Sequence, residues 1–131
     1  MKILLDTSFL ISAMLSKMDI LGELRKFGRP ELYVLDLVVG ELESFVKGRG
    51  KKAINSRLSL KFLDHENVVI IKTIGGQTDR KIVSYATNRK MAVCTVDRRL
   101  KLTLLRRGTN VISIRQRKYL VLMPAQTSRR G

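Results

Sequence analysis

The sequence contains 131 residues, of which 26 are Lys or Arg and only 11 are Asp or Glu, so its formal net charge is +15. Its apolar fraction of 44% argues against a disordered chain, and its length fits one domain. Its apolar runs are shorter than the roughly 20 residues that cross a bilayer, and its first residues do not predict a secretory signal. The single cysteine, Cys94, excludes an internal disulfide and favours the cytoplasm, whereas the excess of positive charge predicts a polyanionic partner, most commonly a nucleic acid and not a membrane.

Predicted strands and helices alternate along the chain. The predicted strands cover residues 3–5, 32–35, 68–71, 91–96 and 110–114, with a short sixth strand at 119–122. The predicted helices cover residues 7–17, 20–27, 37–47, 53–64, 78–89 and 98–107, and residues 48–52 are expected to form a basic, flexible turn. This alternation predicts an α/β domain over residues 1–123, with a parallel sheet and helices on both faces, followed by a flexible basic tail at 124–131.

Four acidic residues occupy positions that such a fold brings to one region. Asp6 directly follows the first strand and Asp97 directly follows the fourth, and the carboxyl ends of parallel strands share one edge of a sheet. Glu41 lies on a helix, and the residues three and four positions away from it are Leu37, Val38, Ser44 and Phe45, none of them basic. Asp79 lies in a first helical turn, on the stripe that carries the apolar residues Ile82, Val83 and Ala86.

Each of the three aspartates also has a purely local interpretation, whereas Glu41 has no basic residue nearby on its helix to pair with. Asp6 and Asp97 are each placed to cap the helix that follows, because a side-chain oxygen there can accept a hydrogen bond from a free backbone amide. Asp79 is placed to interact with the positive end of its helix macrodipole. Taken singly, these roles are favoured over catalysis for the three aspartates.

A shared divalent cation accounts for all four carboxylates together. A carboxylate on an apolar stripe needs a partner, and several carboxylates that meet repel one another and have raised pKa values. Oxygen ligands without His or Cys suit Mg²⁺ or Mn²⁺ better than Zn²⁺. In a strongly basic protein the natural substrate of such a metal is a phosphodiester, because the metal can activate water and stabilise the leaving oxygen.

The stretches that carry these acids resemble the PIN-domain nucleases. They are DTSFL at 6–10, VVGELE at 38–43, TDRKI at 78–82 and CTVDRRLK at 94–101, and their order and spacing are fairly specific. The resemblance spans about residues 1–123. Within the superfamily the chain is most similar to the PIN nuclease of the small-subunit processome and its archaeal relatives, on the strength of VVGELE and of TVDRRLK followed by a strand and KYLV.

The resemblance implies a single three-layer α/β/α domain with a central parallel sheet of four or five strands. It implies a metal-dependent endoribonuclease that leaves a 5′-phosphate and a 3′-hydroxyl and acts on ribosomal RNA precursor. Its catalytic residues and ligands for Mg²⁺ or Mn²⁺ would be Asp6, Glu41, Asp79 and Asp97. Three alternatives stay open. They are a VapC-type toxin ribonuclease restrained by an antitoxin, a non-catalytic RNA-binding protein of ribosome assembly, and a nuclease directed at DNA, since nothing in the sequence indicates a residue that reads the 2′-hydroxyl. A homodimer and ribosome-assembly factors are further candidate partners.

Two positions depart from the family's pattern. The family often has Asn where this chain has Ser8, whose side chain is shorter and has no amide. The processome subgroup often has a second Asp where this chain has Arg80, a change that bears on a second metal site or on substrate contacts. Neither departure removes the core set of acids.

Basic and hydroxyl side chains near the acids are candidates for binding nucleic acid. Phosphate contacts position a nucleic acid on a protein, and clustered Lys and Arg are the residues that make them. Thr7, Ser8 and Thr95 flank the carboxyl ends of the first and fourth strands, with the alternative that they pack and cap locally. The basic candidates are Lys47, Arg49, Lys51, Lys52, Arg80, Arg98, Arg99 and Lys101, with an ordinary solvated basic surface as the alternative.

Overall fold

A computed structural model describes residues 1–126, which form one sheet with helices packed around it. The strands are β1 (Lys2–Leu5), β2 (Glu31–Leu35), β3 (Val69–Ile71), β4 (Ala92–Cys94), β5 (Val111–Arg115) and β6 (Tyr119–Met123). The helices are α1 (Thr7–Leu15), α2 (Ile20–Leu24), α3 (Asp36–Val46), α4 (Lys51–His65), α5 (Thr78–Arg89) and α6 (Arg98–Arg106). A short 3-10 helix, Arg25–Phe27, continues α2.

The strand order is β3-β2-β1-β4-β5-β6, and the first five strands are all parallel. From β1 the chain progresses outward through β2 to β3, then crosses to β4 and progresses the other way. Because crossover connections are right-handed, α1–α4 and α5–α6 cover opposite faces of the sheet. The direction of progression changes between β1 and β4, and such a switch point opens a crevice at the carboxyl ends of the strands. The predicted α/β fold with a parallel sheet is therefore confirmed.

The sixth strand is antiparallel, which makes the sheet mixed. It pairs with β5 through the register Ser113↔Val121 and covers that edge of the parallel sheet. Its position also depends on Glu23, whose Oε1 accepts a hydrogen bond of 2.8 Å from the Leu120 amide. The hairpin between β5 and β6 turns through Gln116 and Arg117, both with positive φ.

The core lies on both sides of the central strand. Ile3, Leu4 and Leu5 of β1 are all 0% exposed, as expected for a strand of a parallel sheet that is covered on both faces. Phe9 and Leu10 of α1 are buried against one face. This burial fixes the end of β1, and hence Asp6, against the neighbouring strand, where the Asp6 amide donates to the Cys94 carbonyl over 3.0 Å.

Several predicted boundaries differ from the structure. The fourth strand, predicted at 91–96, spans only Ala92–Cys94, so Asp97 follows it after two residues and not directly. Two other differences have local reasons. The first helix ends at Leu15 instead of residue 17, because Lys17 adopts a left-handed conformation with φ of 54°. The expected basic turn at 48–52 is shorter than predicted, because Gly50, with φ of 84°, completes the turn. Lys51 and Lys52 consequently lie in the first turn of α4.

The first residues after β6 are bonded to the domain. The Ala125 amide donates to Asn110 Oδ1 over 2.8 Å, and the Gln126 amide donates to the Leu105 carbonyl over 3.1 Å. Residues 127–131 of the expected basic tail lie outside the described residues. In the described part of the chain, no helix has the length and apolar character to cross a membrane.

Candidate functional site

The four acidic residues singled out from the sequence line one cleft at the carboxyl ends of β1 and β4. This acidic cleft has a volume of about 360 Å³ and is lined by Asp6, Thr7, Ser8, Ile11, Ser12, Glu41, Phe45, Lys52, Asp79 and Asp97. The chain reaches it from four places, which are the ends of β1 and β4, the middle of α3 and the first turn of α5. The fold thus brings together side chains that are up to 91 residues apart in the sequence.

Asp6 is the buried acid of the cleft, 5% exposed. It precedes α1, yet its side chain makes no helix-capping hydrogen bond. Its Oδ2 instead accepts hydrogen bonds from the Ser8 hydroxyl over 2.7 Å and from the Thr95 hydroxyl over 2.6 Å. Burial raises the pKa of Asp6, a shift that the two hydroxyls oppose and that the charge of Glu41 reinforces. The local capping role is therefore wrong for Asp6.

Ser8 and Thr95 connect Asp6 to the segment that leads to Asp97. The Ser8 hydroxyl accepts from the Val96 amide over 3.3 Å, and the Thr95 hydroxyl accepts from the Asp97 amide over 3.1 Å. Ser8 thus joins the two strand ends with a hydroxyl where the family often has an Asn amide. Asp97 does cap its helix, since its Oδ1 accepts from the Leu100 amide over 3.0 Å. Capping uses one oxygen of Asp97 and is compatible with a place in the cleft.

Glu41 is held by hydroxyl groups on two other helices. The Thr7 hydroxyl donates to its Oε1 in a short hydrogen bond, and the Thr78 hydroxyl donates to its Oε2 over 2.8 Å. Glu41 is half-buried, beside the fully buried Val38 and Leu42 of α3. Thr78 was not predicted as a site residue, although its place directly before Asp79 at a helix start was a usable signal.

Asp79 projects from the first turn of α5 and is the exposed acid of the cleft. The apolar stripe predicted for this helix is present, because Ile82, Val83 and Ala86 are buried. Partial burial of its carboxyl group raises the pKa of Asp79, and the charges of Asp6, Asp97 and Glu41 raise it further. The effect of these three charges on Asp79 indicates that the four carboxylates are close enough to interact.

The donor chemistry of the cleft fits a hard divalent cation. Its acids and hydroxyls offer only oxygen ligands, and within residues 1–126 none of the four acids forms an ion pair with a Lys or Arg. No three acidic side chains of that region converge closely enough in their present rotamers to hold one ion. Because both oxygens of Glu41 are engaged by hydroxyls, coordination would require side chains to rotate, and the exposed Asp79 is the least constrained.

The predicted nucleic-acid-binding residues fall into four groups. Thr7, Ser8 and Lys52 line the acidic cleft, where the Lys52 ammonium lies 3.9 Å from the centre of the Phe45 ring. Arg80 and Arg99 line a second cavity, between α5 and α6, and Thr95 is buried beneath Asp6. The others lie outside both cavities, exposed or half-buried, and are Lys47, Arg49, Lys51, Arg98 and Lys101.

Further residues of the cleft were not predicted. Ile11 and Ser12 lie three and four residues after Ser8 on α1, so the helical period could have added them to the site. Phe45 lies four residues after Glu41 on α3 by the same spacing. Each follows from an already identified residue once its helix is assigned.

Residues 3–117 match the family model described as PIN like domain. The chain belongs to the PIN-domain family. It is 32% identical over 114 residues to Ribonuclease VapC9 of Archaeoglobus fulgidus, an alignment that covers 86% of this chain and 82% of that protein. It is 30% identical over 124 residues to Ribonuclease VapC4 of Methanocaldococcus jannaschii, with coverage of 90% and 93%.

Two solved structures share the fold of this chain. The PIN domain endonuclease Utp24 superposes with a TM-score of 0.79 at 21% identity, covering 94% of this chain and 91% of that chain. A domain of a functionally unknown protein from Methanocaldococcus jannaschii superposes with a TM-score of 0.61 at 19% identity, covering 87% and 91%. These likenesses confirm the predicted PIN-like α/β architecture.

Proposed function

We propose that this PIN-domain protein is a metal-dependent endoribonuclease that cleaves RNA at the acidic cleft. The observation that carries the proposal is a set of four carboxylates, lining one cleft, without a Lys or Arg ion pair among the described residues of a chain of net charge +15. Basic side chains are plentiful, so their absence from these acids favours a cation that comes from solution. The similarity to two archaeal ribonucleases of the VapC type supports RNA as the substrate.

Each residue of the cleft has a distinct task in this proposal. Asp6, Glu41, Asp79 and Asp97 would provide the carboxylate oxygens for Mg²⁺ or Mn²⁺. The metal, when bound, would supply the positive charge that activates water and stabilises the leaving oxygen. Ser8 and Thr95 hold the Asp6 carboxylate, and Thr7 and Thr78 hold that of Glu41. Among the described residues, Lys52 is the one basic side chain on the wall of the cleft, and it is placed to contact a phosphate.

Two biological substrates are supported by different similarities. The sequence matches favour a VapC-type ribonuclease, which would act with an antitoxin as partner. The resemblance of VVGELE and TVDRRLK to the PIN nuclease of the small-subunit processome favours processing of ribosomal RNA precursor, with assembly factors as partners. The shared fold of the PIN domain endonuclease Utp24 is compatible with this substrate. A neighbouring gene for a small antitoxin would support the first, and crosslinking in cells to precursor ribosomal RNA would support the second.

The enzymatic proposal is tested by cleavage of an end-labelled RNA in Mn²⁺, with EDTA as the metal-free reaction. The purified protein should nick the RNA and leave 5′-phosphate ends. Asp79→Asn should lower the rate by about 100-fold or more, because it removes charge from the centre that stabilises the transition state. Asp64→Asn is the matched control, since Asp64 is an exposed acid outside the acidic cleft. Equal rates for both variants would exclude this mechanism.

Metal binding can be measured without reference to activity. Adding Mn²⁺ should raise the midpoint of thermal unfolding, because a ligand at 100 times its dissociation constant stabilises the folded state by about 2.7 kcal/mol. The increase should be strongly reduced in Asp79→Asn and kept in Asp64→Asn. No bound Mn²⁺ at millimolar concentration would instead support a non-catalytic RNA-binding protein.

A further inference from the structure

A cavity larger than the acidic cleft lies beside it. It lies between α5 and α6, has a volume of about 560 Å³, and is called the α5–α6 groove here. Its lining residues are Asp79, Arg80, Val83, Ser84, Thr87, Asn88, Arg99, Leu100, Thr103 and Arg107. Three guanidinium groups and one carboxylate give it a positive charge, opposite in sign to the acidic cleft.

The groove and the cleft are adjacent. Asp79 lines both cavities, so one side chain marks the boundary between them. A linear ligand that passes from one to the other would meet the carboxylates of the cleft at one end and the arginines of the groove along its length.

The polar residues that line the groove are spaced so that each set lies along one side of its helix. Arg80, Ser84 and Asn88 recur every four residues along α5. Arg99, Thr103 and Arg107 recur in the same way on α6 and its C-terminal end. Eight residues span about 12 Å along a helix axis, long enough for a short stretch of extended chain.

The floor of the groove is apolar. Val83 is 9% exposed and Leu100 is 3% exposed, and both line the groove between its polar walls. Guanidinium groups bind phosphates, hydroxyl and amide groups contact sugars and base edges, and aliphatic side chains can make van der Waals contact with a base. This combination matches a single-stranded nucleic acid better than a free anion, for which the apolar floor would be unused.

We propose that the α5–α6 groove binds the single-stranded RNA that flanks the cleavage point in the acidic cleft. Arg80, Arg99 and Arg107 bind successive phosphates, and Ser84 and Asn88 contact the nucleotides between them. The identity of the ligand as RNA rests on the proposed endoribonuclease function. In this arrangement Arg80, where related proteins often have a second Asp, serves substrate binding.

Binding is tested by fluorescence anisotropy of a labelled single-stranded RNA in EDTA, where no cleavage is expected. The double variant Arg80→Gln/Arg107→Gln should weaken binding by about tenfold or more, an effect of about 1.4 kcal/mol. The slope of log K against log salt should become shallower by about 1.4, because each phosphate contact to a single strand contributes about 0.7.

The matched control is Arg106→Gln/Lys90→Gln. Arg106 and Lys90 are exposed, lie on or directly after the same two helices, and carry the same total charge, but neither lines the groove. The control should retain affinity within about twofold, as expected when only the long-range field changes. Equal losses in the two double variants would overturn the proposal. Thermal unfolding verifies that all proteins are folded, and photocrosslinking of 4-thiouridine RNA to residues 80–88 or 99–107 of wild type gives a second measure.

The outcome also separates this proposal from the proposed enzymatic function. If wild type binds RNA through the groove but does not cleave it in Mn²⁺, the proposed RNA-binding role of the groove is supported and the proposed nuclease activity is rejected. If the groove variant binds and cleaves RNA as wild type does, the proposed nuclease activity is supported and the proposed RNA-binding role of the groove is rejected. If the groove variant loses binding of an acidic peptide but keeps that of RNA, the groove is a peptide site and the proposal is wrong.

Discussion

Two sets of carboxylates in this molecule have opposite environments. Asp6 and Asp79 in the acidic cleft have pKa values raised chiefly by burial and by the charges of nearby acids. Asp36 at the start of α3 has a lowered pKa, because the Thr73 hydroxyl and the Thr73 amide donate to its two oxygens over 2.8 and 3.1 Å. Glu23 has a lowered pKa as well, owing first to Lys26 and then to the Leu120 amide.

The difference separates acids that stabilise the fold from acids that destabilise it. Asp36 and Glu23 each connect distant parts of the chain, and their negative charge is compensated inside the protein. Within residues 1–126 no Lys or Arg forms an ion pair with Asp6 or Asp79. Their proximity therefore disfavours the folded state unless a cation binds. A site that is electrostatically unfavourable when empty and favourable when loaded is expected of metal-binding carboxylates.

The largest expected difference between the two sets is in activity. Asp6→Asn should reduce RNA cleavage in Mn²⁺ by about 100-fold or more, because the buried carboxylate loses its charge where the reaction needs it. Asp36→Asn should leave the cleavage rate of the folded protein unchanged, since Asp36 lies outside the acidic cleft. Rates are measured at saturating RNA and below the unfolding temperature of each variant. Loss of activity in both variants would contradict the separation of the two sets.

The sequence was sufficient to predict the fold because the signals were local. Buried runs such as ILL at 3–5 and helical spacing on α5 correspond to elements that the structure contains. The boundaries that differ depend on single backbone conformations, such as the left-handed Lys17. Such a conformation in a residue other than Gly has no clear sequence signal.

Contacts between residues distant in the sequence limited how much of the candidate site could be predicted. The grouping of Asp6 with Asp97 followed from parallel topology alone, since the two positions end adjacent strands. The hydrogen bonds of Glu41 with Thr7 and Thr78 join three helices. The place of each threonine at a helix start could be read from the sequence, but its pairing with Glu41 could not. The exposure of Asp79 was also unexpected, since it shares a helix stripe with apolar residues. Asp79 is exposed because the buried part of this stripe begins only in the second turn of α5.

A smaller effect is expected from the hydroxyls that hold the carboxylates. Thr78→Val removes the donor to Glu41 Oε2 and should lower cleavage by about tenfold, because residues that orient metal ligands contribute about 10–100-fold to affinity or activity. The deficit should shrink as Mn²⁺ is raised, which a purely structural defect would not do. Thr73→Val removes the corresponding donor to Asp36 and should lower thermal stability without changing the dependence on Mn²⁺. A Thr78→Val enzyme with the same Mn²⁺ dependence as wild type would show that Glu41 needs no such support.

The smallest effect, and the most direct comparison, is the dependence of stability on pH without metal. Because the pKa of Asp79 is raised on folding, its ionisation disfavours the folded state at pH values above the folded pKa, and this cost vanishes below its ordinary value of 3.8. Asp79→Asn should therefore be more stable than wild type at neutral pH in EDTA, by a margin that shrinks on acidification. For Asp36, whose pKa is lowered, ionisation favours folding above 3.8 and the benefit is lost as the pH falls through the folded pKa.

Urea unfolding at several pH values distinguishes the two carboxylates by the sign of their effects. Asp36→Asn should be less stable than wild type at neutral pH, and its deficit should also shrink on acidification. Adding Mn²⁺ should reverse the order for Asp79 alone, because only the wild-type cleft gains binding energy from the ion. If Asp79→Asn were already the less stable protein in EDTA, the carboxylate would be stabilising the fold like Asp36, and the cleft would lose the uncompensated charge on which its proposed affinity for a cation depends.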